Sequence, residues 1–138
     1  MTKAESDLAN ATLVISVALE GQFDTVCFHA QQCVEKYIKA LIVVQGAIVP
    51  KTHNLRKLIS LLPRGFQPTL TVDEQNRLSL YAIEPRYPGA AEIGQAEARD
   101  AVRIARRVRT QVRRMLPRRA LVGPKRPAAT HPNSRHPR

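Results

Sequence analysis

The residues with the clearest potential for chemistry are Thr52, His53 and Asn54, which follow Gly46 and Pro50. A histidine can accept or donate a proton near neutral pH. If a helix begins at this point, its free backbone N–H groups could also bind an anion such as a nucleotide phosphate. A structural interpretation is favoured over this one, because Thr52 is placed to cap the helix and fix its entry.

A long amphipathic helix precedes this segment and must position it. Apolar residues recur at spacings of three and four, which predicts one buried face; they are Phe23, Val26, Cys27, Ala30, Val34, Ile38, Leu41 and Ile42. Gly46 is expected to end the helix. Gln32, Glu35, Lys36 and Lys39 lie on the opposite face, where Glu35 and Lys39 are spaced for an ion pair. The two lysines could bind a nucleotide or an acidic partner, or they could belong to a solvated face.

Three further helices are predicted around these residues. The first ends at Gly21, and its short connection to the long helix implies an antiparallel hairpin. The third helix is expected from about Asn54 to Leu62. The fourth is expected to begin at Thr71 or Asp73 and to continue to Ile83.

The last predicted helix begins near Glu92 or Gly94 and ends at Leu116. Its apolar residues fall on one side and its arginines on the other; the arginines are Arg99, Arg103, Arg106, Arg107, Arg109, Arg113 and Arg114. Such a face could bind a nucleic-acid backbone without sequence preference, most directly through Arg99, Arg103, Arg106, Arg107 and Arg113. It could also be a charged surface helix without a nucleic-acid role.

The net charge of +11 is distributed unevenly. Residues 1–98 contain nine basic and ten acidic residues, so the positive charge belongs to the last helix and to residues 117–138. Those final residues combine prolines and basic residues without an apolar period, which predicts disorder. In residues 1–116, aliphatic residues dominate over aromatic ones, which favours the packing of helices against helices. We therefore predict one all-α, up-and-down bundle of about five helices over residues 1–116, followed by a disordered basic tail over residues 117–138.

Several classes of protein are not expected. No apolar run is long enough to span a membrane, and Met1 is not followed by a signal sequence, which favours the cytoplasm. Cys27 and Cys33 are too far apart on one helix to form a disulfide, in keeping with a reducing compartment. His29 and Cys33 have the spacing of two metal ligands, but no further ligands accompany them. We therefore expect neither a metal nor another cofactor.

The long helix and the segment after it carry a family resemblance. The chain reads AQQCVEKYIKAL from Ala30, then has Gly46, Pro50 and the THNL motif that begins at Thr52. This order is similar to the HEPN domain of prokaryotes. The resemblance extends upstream through Ala4, Asp7 and Leu8 and downstream through Arg86, Tyr87 and Pro88.

The HEPN superfamily includes metal-independent ribonucleases whose active site joins an arginine to a histidine that follows it after four to six intervening residues, usually contributed by both chains of a dimer. The only such pair here is Arg126 and His131, in the predicted tail. The resemblance therefore implies a non-catalytic, homodimeric module that binds a nucleotide or substrate and pairs with a small nucleotidyltransferase, as in toxin–antitoxin systems. Its binding residues would be Lys36, Lys39, Thr52, His53, Arg86 and Tyr87.

Two other functions stay open. One is a ribonuclease toxin with a displaced active site that uses His53 and Arg86, since histidine can act as a general base and arginine can stabilise a charged phosphate. The other is a nonspecific nucleic-acid-binding protein that relies on the arginine face and the tail.

Overall fold

A computed structural model describes residues 2–17, 22–83 and 93–121. These ranges contain six α-helices and no strand, which confirms the predicted all-α class. The helices are α1 (Thr2–Val17), α2 (Phe23–Val44), α3 (Leu55–Ser60), α4 (Val72–Tyr81), α5 (Gln95–Met115) and α6 (Arg118–Leu121). A single 3₁₀ turn, Arg64–Phe66, lies between α3 and α4.

Helix α2 is the centre of the bundle and packs against α1, α3, α4 and α5. Its predicted apolar face is buried, apart from the half-buried Phe23. Gly46 follows the helix with a φ of +76°, a conformation that glycine adopts without a steric penalty. Its N–H donates to the Val43 carbonyl at 2.9 Å, and that of Ala47 donates to the Ile42 carbonyl. The predicted end of the helix is confirmed.

Contacts between α1 and α2 establish the direction of these helices. Glu5 contacts Tyr37, whereas Asp7 contacts Lys36 and His29. As the residue number rises on α1, it falls on α2, so the two helices form the predicted antiparallel hairpin.

Helix α4 begins with a capping box at Thr71. The Thr71 hydroxyl accepts a hydrogen bond from the Glu74 N–H, and the Glu74 carboxylate accepts one from the Thr71 N–H, both at 3.0 Å. This reciprocal arrangement satisfies two backbone donors at once. Of the two predicted caps, Thr71 rather than Asp73 is the one used.

Helix α5 runs antiparallel to α4, because Tyr81 binds Glu97 while Glu74 binds Arg107 further along α5. Its N-cap is Gly94, one of the two predicted starting points. In the described residues, no helix is both long and apolar enough to cross a lipid bilayer.

Three helices differ from prediction. Helix α3 is shorter than the expected Asn54–Leu62, α4 ends at Tyr81 rather than Ile83, and the short α6 lies within the stretch that was predicted to be disordered from residue 117. The rest of the predicted tail, residues 122–138, lies outside the described residues, as do Gly21, Arg86 and Tyr87.

Candidate functional site

Helix α2 buries two polar residues, Gln31 and Glu35, which are 0% and 2% exposed. They lie at helical spacing with Ile38 and Ile42, so all four share one row along the helix. That row faces the interior because α2 is surrounded by other helices. Glu35 is therefore not part of a solvated face, which corrects one sequence interpretation.

The Glu35 carboxylate accepts hydrogen bonds on both oxygens. Oε1 contacts the Lys39 ammonium at 2.8 Å and the His53 Nδ1 at 2.7 Å. Oε2 accepts from the side-chain amides of Gln31 and Gln32 at 3.1 and 3.3 Å. The predicted pair of Glu35 and Lys39 is confirmed, and the structure brings His53 to the same oxygen.

Electrostatics favour the ionised form of Glu35. Burial alone would raise the pKa of this carboxyl, but hydrogen bonds from Lys39, Gln31 and His53 outweigh it and hold the pKa below its usual value. An ionised carboxylate can only accept hydrogen bonds. The proton in the contact with His53 therefore lies on Nδ1, and Nε2 is left for another partner. The His53 side chain is 65% exposed, so a ligand can reach it.

The segment around His53 is fixed by local capping. Asn54, not Thr52, is the N-cap of α3, and its side chain accepts from the Lys57 N–H at 3.2 Å. Thr52 instead accepts from the Asn54 N–H at 3.1 Å. The Leu55 N–H donates to the Ser79 hydroxyl. These three backbone donors have partners, so the capping interpretation of Thr52 and Asn54 is favoured over an anion site at the start of α3.

Lys36 belongs to a separate cluster with Asp7 and His29. The Asp7 carboxylate, which is buried, contacts the Lys36 ammonium with one oxygen and the His29 Nδ1 with the other, the latter at 3.1 Å. The sequence indicated Lys36 as a neighbour of Lys39 on one face. The structure pairs the two lysines with different carboxylates.

A third cluster surrounds Glu5. Its Oε1 accepts from the Tyr37 hydroxyl, from Arg109 Nε at 2.7 Å and from Arg113 Nη1 at 3.4 Å. Burial, aided by the hydrogen bond to Glu5, raises the pKa of Tyr37 to about 12. The pKa of Glu5 is lowered, because the Arg109 and Tyr37 hydrogen bonds outweigh the effect of its burial.

An open groove lies beside this third cluster, between α1 and α5. Its volume is about 670 Å³, and its lining residues are Glu5, Leu8, Ala9, Thr12, Leu13, Arg106, Arg109 and Thr110. Among them, sequence analysis singled out Arg106 and Arg109 as candidate binding residues and Leu8 only as part of the family resemblance. A hydrogen bond connects α5 to α1 at this groove, from the Arg106 guanidinium to the Thr12 hydroxyl at 3.3 Å.

The arginine face of α5 is divided between solvent and intramolecular partners. Arg107 binds Glu74 at 2.7 Å, and Arg113 is held by Glu5. Arg99, Arg103 and Arg106 are exposed, although Arg103 also contacts Asp100 on its own helix. Only some of the arginines that were predicted to bind nucleic acid are therefore available to an external backbone.

The described residues do not contain an arginine that is followed by a histidine after four to six intervening residues. Arg86 and Tyr87 lie outside those residues, and so do Arg126 and His131. Within the same part of the chain, no group of three His, Cys, Asp or Glu side chains could hold a metal ion. Cys33 is buried, and burial raises the pKa of its thiol to about 12, so it is not a reactive nucleophile.

Sequence reasoning missed Glu5, Asp7, Gln31 and Tyr37 as members of polar clusters. The burial of Gln31 and Glu35 could have been predicted, since their spacing continues the row of Ile38 and Ile42. The other residues meet across different helices, which periodicity does not reveal.

Comparison with known proteins supports the resemblance noted in the sequence. No curated protein matches the chain. A solved structure, TT1696 from Thermus thermophilus, is similar with a TM-score of 0.67 and 26% sequence identity, over 83% of this chain and 94% of that one. The family model of the HEPN domain matches residues 1–115. The chain therefore belongs to the HEPN domain family.

Proposed function

We propose that this HEPN protein is a non-catalytic module that binds a nucleotide and pairs with a small nucleotidyltransferase, as in a toxin–antitoxin pair. It acts as a homodimer in the cytoplasm, a compartment that fits its two buried thiols. One observation carries the proposal: Lys39 and His53 are held side by side on a single oxygen of Glu35.

This arrangement suits a phosphate group. The Lys39 ammonium and the exposed His53 ring lie within two hydrogen-bond lengths of each other, because both contact Oε1. Charge-assisted hydrogen bonds to phosphate are about twice as strong as neutral ones. The buried carboxylate fixes the Lys39 ammonium and the His53 ring before a ligand arrives, which lowers the entropic cost of binding. His53 donates to the phosphate from Nε2 when the ring carries a proton on both nitrogens.

The non-catalytic role is supported by the residues around His53. No described arginine has the required spacing to a histidine. A module of this kind would act through binding and assembly rather than through RNA cleavage.

The pairing is tested by purifying the tagged protein from its native host at physiological salt. Bound proteins are identified by mass spectrometry, and bound nucleic acid is quantified. We expect a stoichiometric small nucleotidyltransferase. Nuclease-sensitive RNA or DNA without a protein partner would instead favour the arginine face. Sedimentation of the purified chain tests the homodimer.

Nucleotide binding is tested by titrating ATP into the purified protein. His53→Ala and Lys39→Ala should each weaken binding about 10-fold or more, the effect of losing one charge-assisted hydrogen bond. Lys57→Ala is the matched control, because Lys57 is exposed on α3 and its substitution removes the same charge four residues from His53. Equal effects in all three variants would mean that only general electrostatics is involved.

One observation favours the ribonuclease alternative. A histidine whose Nδ1 donates to a carboxylate has its Nε2 available as a general base, and His53 has this arrangement with Glu35. Arg86 would be its partner. Cleavage of RNA without metal, lost in His53→Ala, would establish this function in place of the proposed one.

A further inference from the structure

The groove between α1 and α5 combines an apolar floor with charged walls. Leu8, Ala9 and Leu13 line it from α1, whereas Arg106, Arg109 and Thr110 line it from α5. Its volume of about 670 Å³ falls in the range of pockets for small organic ligands. Lys39 and His53 are not among its lining residues, so it is a different site from the one described above.

The arginines of the groove are spaced to act together. Arg106 and Arg109 are three residues apart on α5, so they are neighbours on one face of the helix. Arg106 is exposed and donates to the Thr12 hydroxyl at 3.3 Å, a long bond to a neutral acceptor. An anion would be a stronger acceptor for this guanidinium.

Arg109 is held in place before any ligand binds. Glu5 accepts from its Nε at 2.7 Å, and that bond does not use the terminal nitrogens. Glu5 is itself fixed by the hydroxyl of Tyr37, which is fully buried. Arg109 thus offers a positioned guanidinium rather than a flexible one.

The local charge indicates which anion fits. Arg109 and Arg113 both contact the Glu5 carboxylate, and Arg106 lines the same groove, so three guanidinium groups accompany one carboxylate and leave a surplus of two positive charges. A phosphate monoester carries about −1.5 to −2 at neutral pH and has three terminal oxygens for guanidinium and hydroxyl donors. A carboxylate has one charge and two oxygens. We propose that the α1–α5 groove binds a phosphate monoester with an apolar body, the phosphate contacting Arg106 and Arg109 and the body covering Leu8, Ala9 and Leu13.

The experiment is a nuclear magnetic resonance titration of the full chain with phenyl phosphate, inorganic phosphate and phenylacetate. Phenyl phosphate should bind about 10-fold tighter than either of the other two and should shift the amide signals of Ala9, Thr12 and Thr110. Equal affinity for phenylacetate would overturn the assignment of a phosphate. Equal affinity for inorganic phosphate would overturn the role of the apolar floor.

Two variants test the location of the site. Arg106→Gln should weaken phenyl phosphate binding about 10- to 100-fold, whereas Arg64→Gln, at an exposed position outside the groove, should leave it unchanged. Ala9→Leu should also weaken binding because the larger side chain fills the floor; Ala96→Leu, exposed on α5, is its control. Binding that survives Arg106→Gln and Ala9→Leu, or that is lost in Lys39→Ala, would show that the ligand lies elsewhere.

Discussion

Arg109 on α5 donates from Nε to the carboxylate of Glu5 on α1 at 2.7 Å, although the two residues are 104 positions apart. The same carboxylate oxygen accepts from the Tyr37 hydroxyl on α2. One acidic side chain therefore connects the three longest helices of the bundle. Its position at the rim of the groove makes it part of both the fold and a candidate binding site.

Glu5→Gln should destabilise the protein by about 1–2 kcal/mol. The amide keeps the shape of the side chain but leaves Arg109 and Arg113 without a negative partner, and charge-assisted hydrogen bonds contribute about 1.5–3 kcal/mol when well buried. Partial exposure of both partners lowers the expected value. Urea unfolding measures the change.

Asp73→Asn is the matched control for this substitution. It removes an acid from an exposed pair with Arg77, where the Asp73 side chain is 81% exposed. Its effect should stay within about 0.5 kcal/mol. Equal destabilisation by both variants would mean that the Glu5 cluster contributes no more than a surface ion pair.

Ionisation of Tyr37 should make the protein less stable at alkaline pH. Its pKa is raised from 10 to about 12 by burial and by the hydrogen bond to Glu5. The unfolded chain therefore loses the phenolic proton first, so this stabilisation is complete below pH 10 and disappears as the pH rises from 10 to about 12. Unfolding by urea across this range should show the decrease.

Tyr37→Phe separates the contribution of Tyr37 to the alkaline pH dependence of stability from the contributions of other groups. The variant should lose part of the alkaline dependence, while the rest belongs to Tyr81, whose pKa is also raised by burial and by its bond to Glu97, and to Cys33, whose pKa is raised by burial. An unchanged alkaline profile in Tyr37→Phe would contradict the assignment.

Substitution of Arg107 should lower the stability of the protein much more than substitution of Arg99, although both residues belong to the arginine face of α5. Arg107→Ala leaves the buried Glu74 without its cation, at a cost of about 1–3 kcal/mol. Arg99 is exposed, and Arg99→Ala should change the free energy of unfolding by no more than about 0.5 kcal/mol. Thermal unfolding of both variants tests the division of this face, and equal Tm values would contradict it.

The fold could be read from the sequence where local patterns determine it. The spacing of Val34, Ile38 and Leu41 defines the buried side of α2, and Gly46 defines its end. The capping box at Thr71 is likewise local. These features depend on residues within a few positions of one another, which is the range over which helical periodicity and capping act.

The polar clusters could not be predicted in the same way. Glu5 meets Arg109 only because α1 lies beside α5, and Asp7 meets His29 only because α1 and α2 are antiparallel. Periodicity showed that α5 has an arginine side but not which acids lie opposite it. The site therefore depends on helix packing, whereas the helices themselves depend on local sequence.

Thr71→Ala should destabilise the protein by about 0.5–2 kcal/mol, the usual effect of removing an N-cap side chain. The substitution removes the acceptor for the Glu74 N–H at the start of α4. Thr69→Ala is the matched control, because Thr69 is exposed and its contact with Gln111 is made by the backbone N–H. Chemical denaturation of both variants gives the comparison. A larger loss in Thr69→Ala would contradict the capping role.

Glu35→Gln should reduce stability most at neutral pH and least in acid. The pKa of Glu35 is lowered from its usual 4.5, because the hydrogen bonds from Lys39, Gln31 and His53 outweigh the opposing effect of burial. A lowered pKa means that the stabilisation is present above pH 4.5 and is lost as the pH falls through the lower native value. At neutral pH the variant should be about 1–3 kcal/mol less stable than the wild type.

In acid the two proteins should converge, since Glu35 becomes neutral in both the folded and the unfolded wild type once the pH lies below its native pKa. Urea unfolding from neutral to acidic pH measures the difference. A constant difference at every pH would show that the packing of the carboxylate, not its charge, matters for the contact with Lys39 and His53.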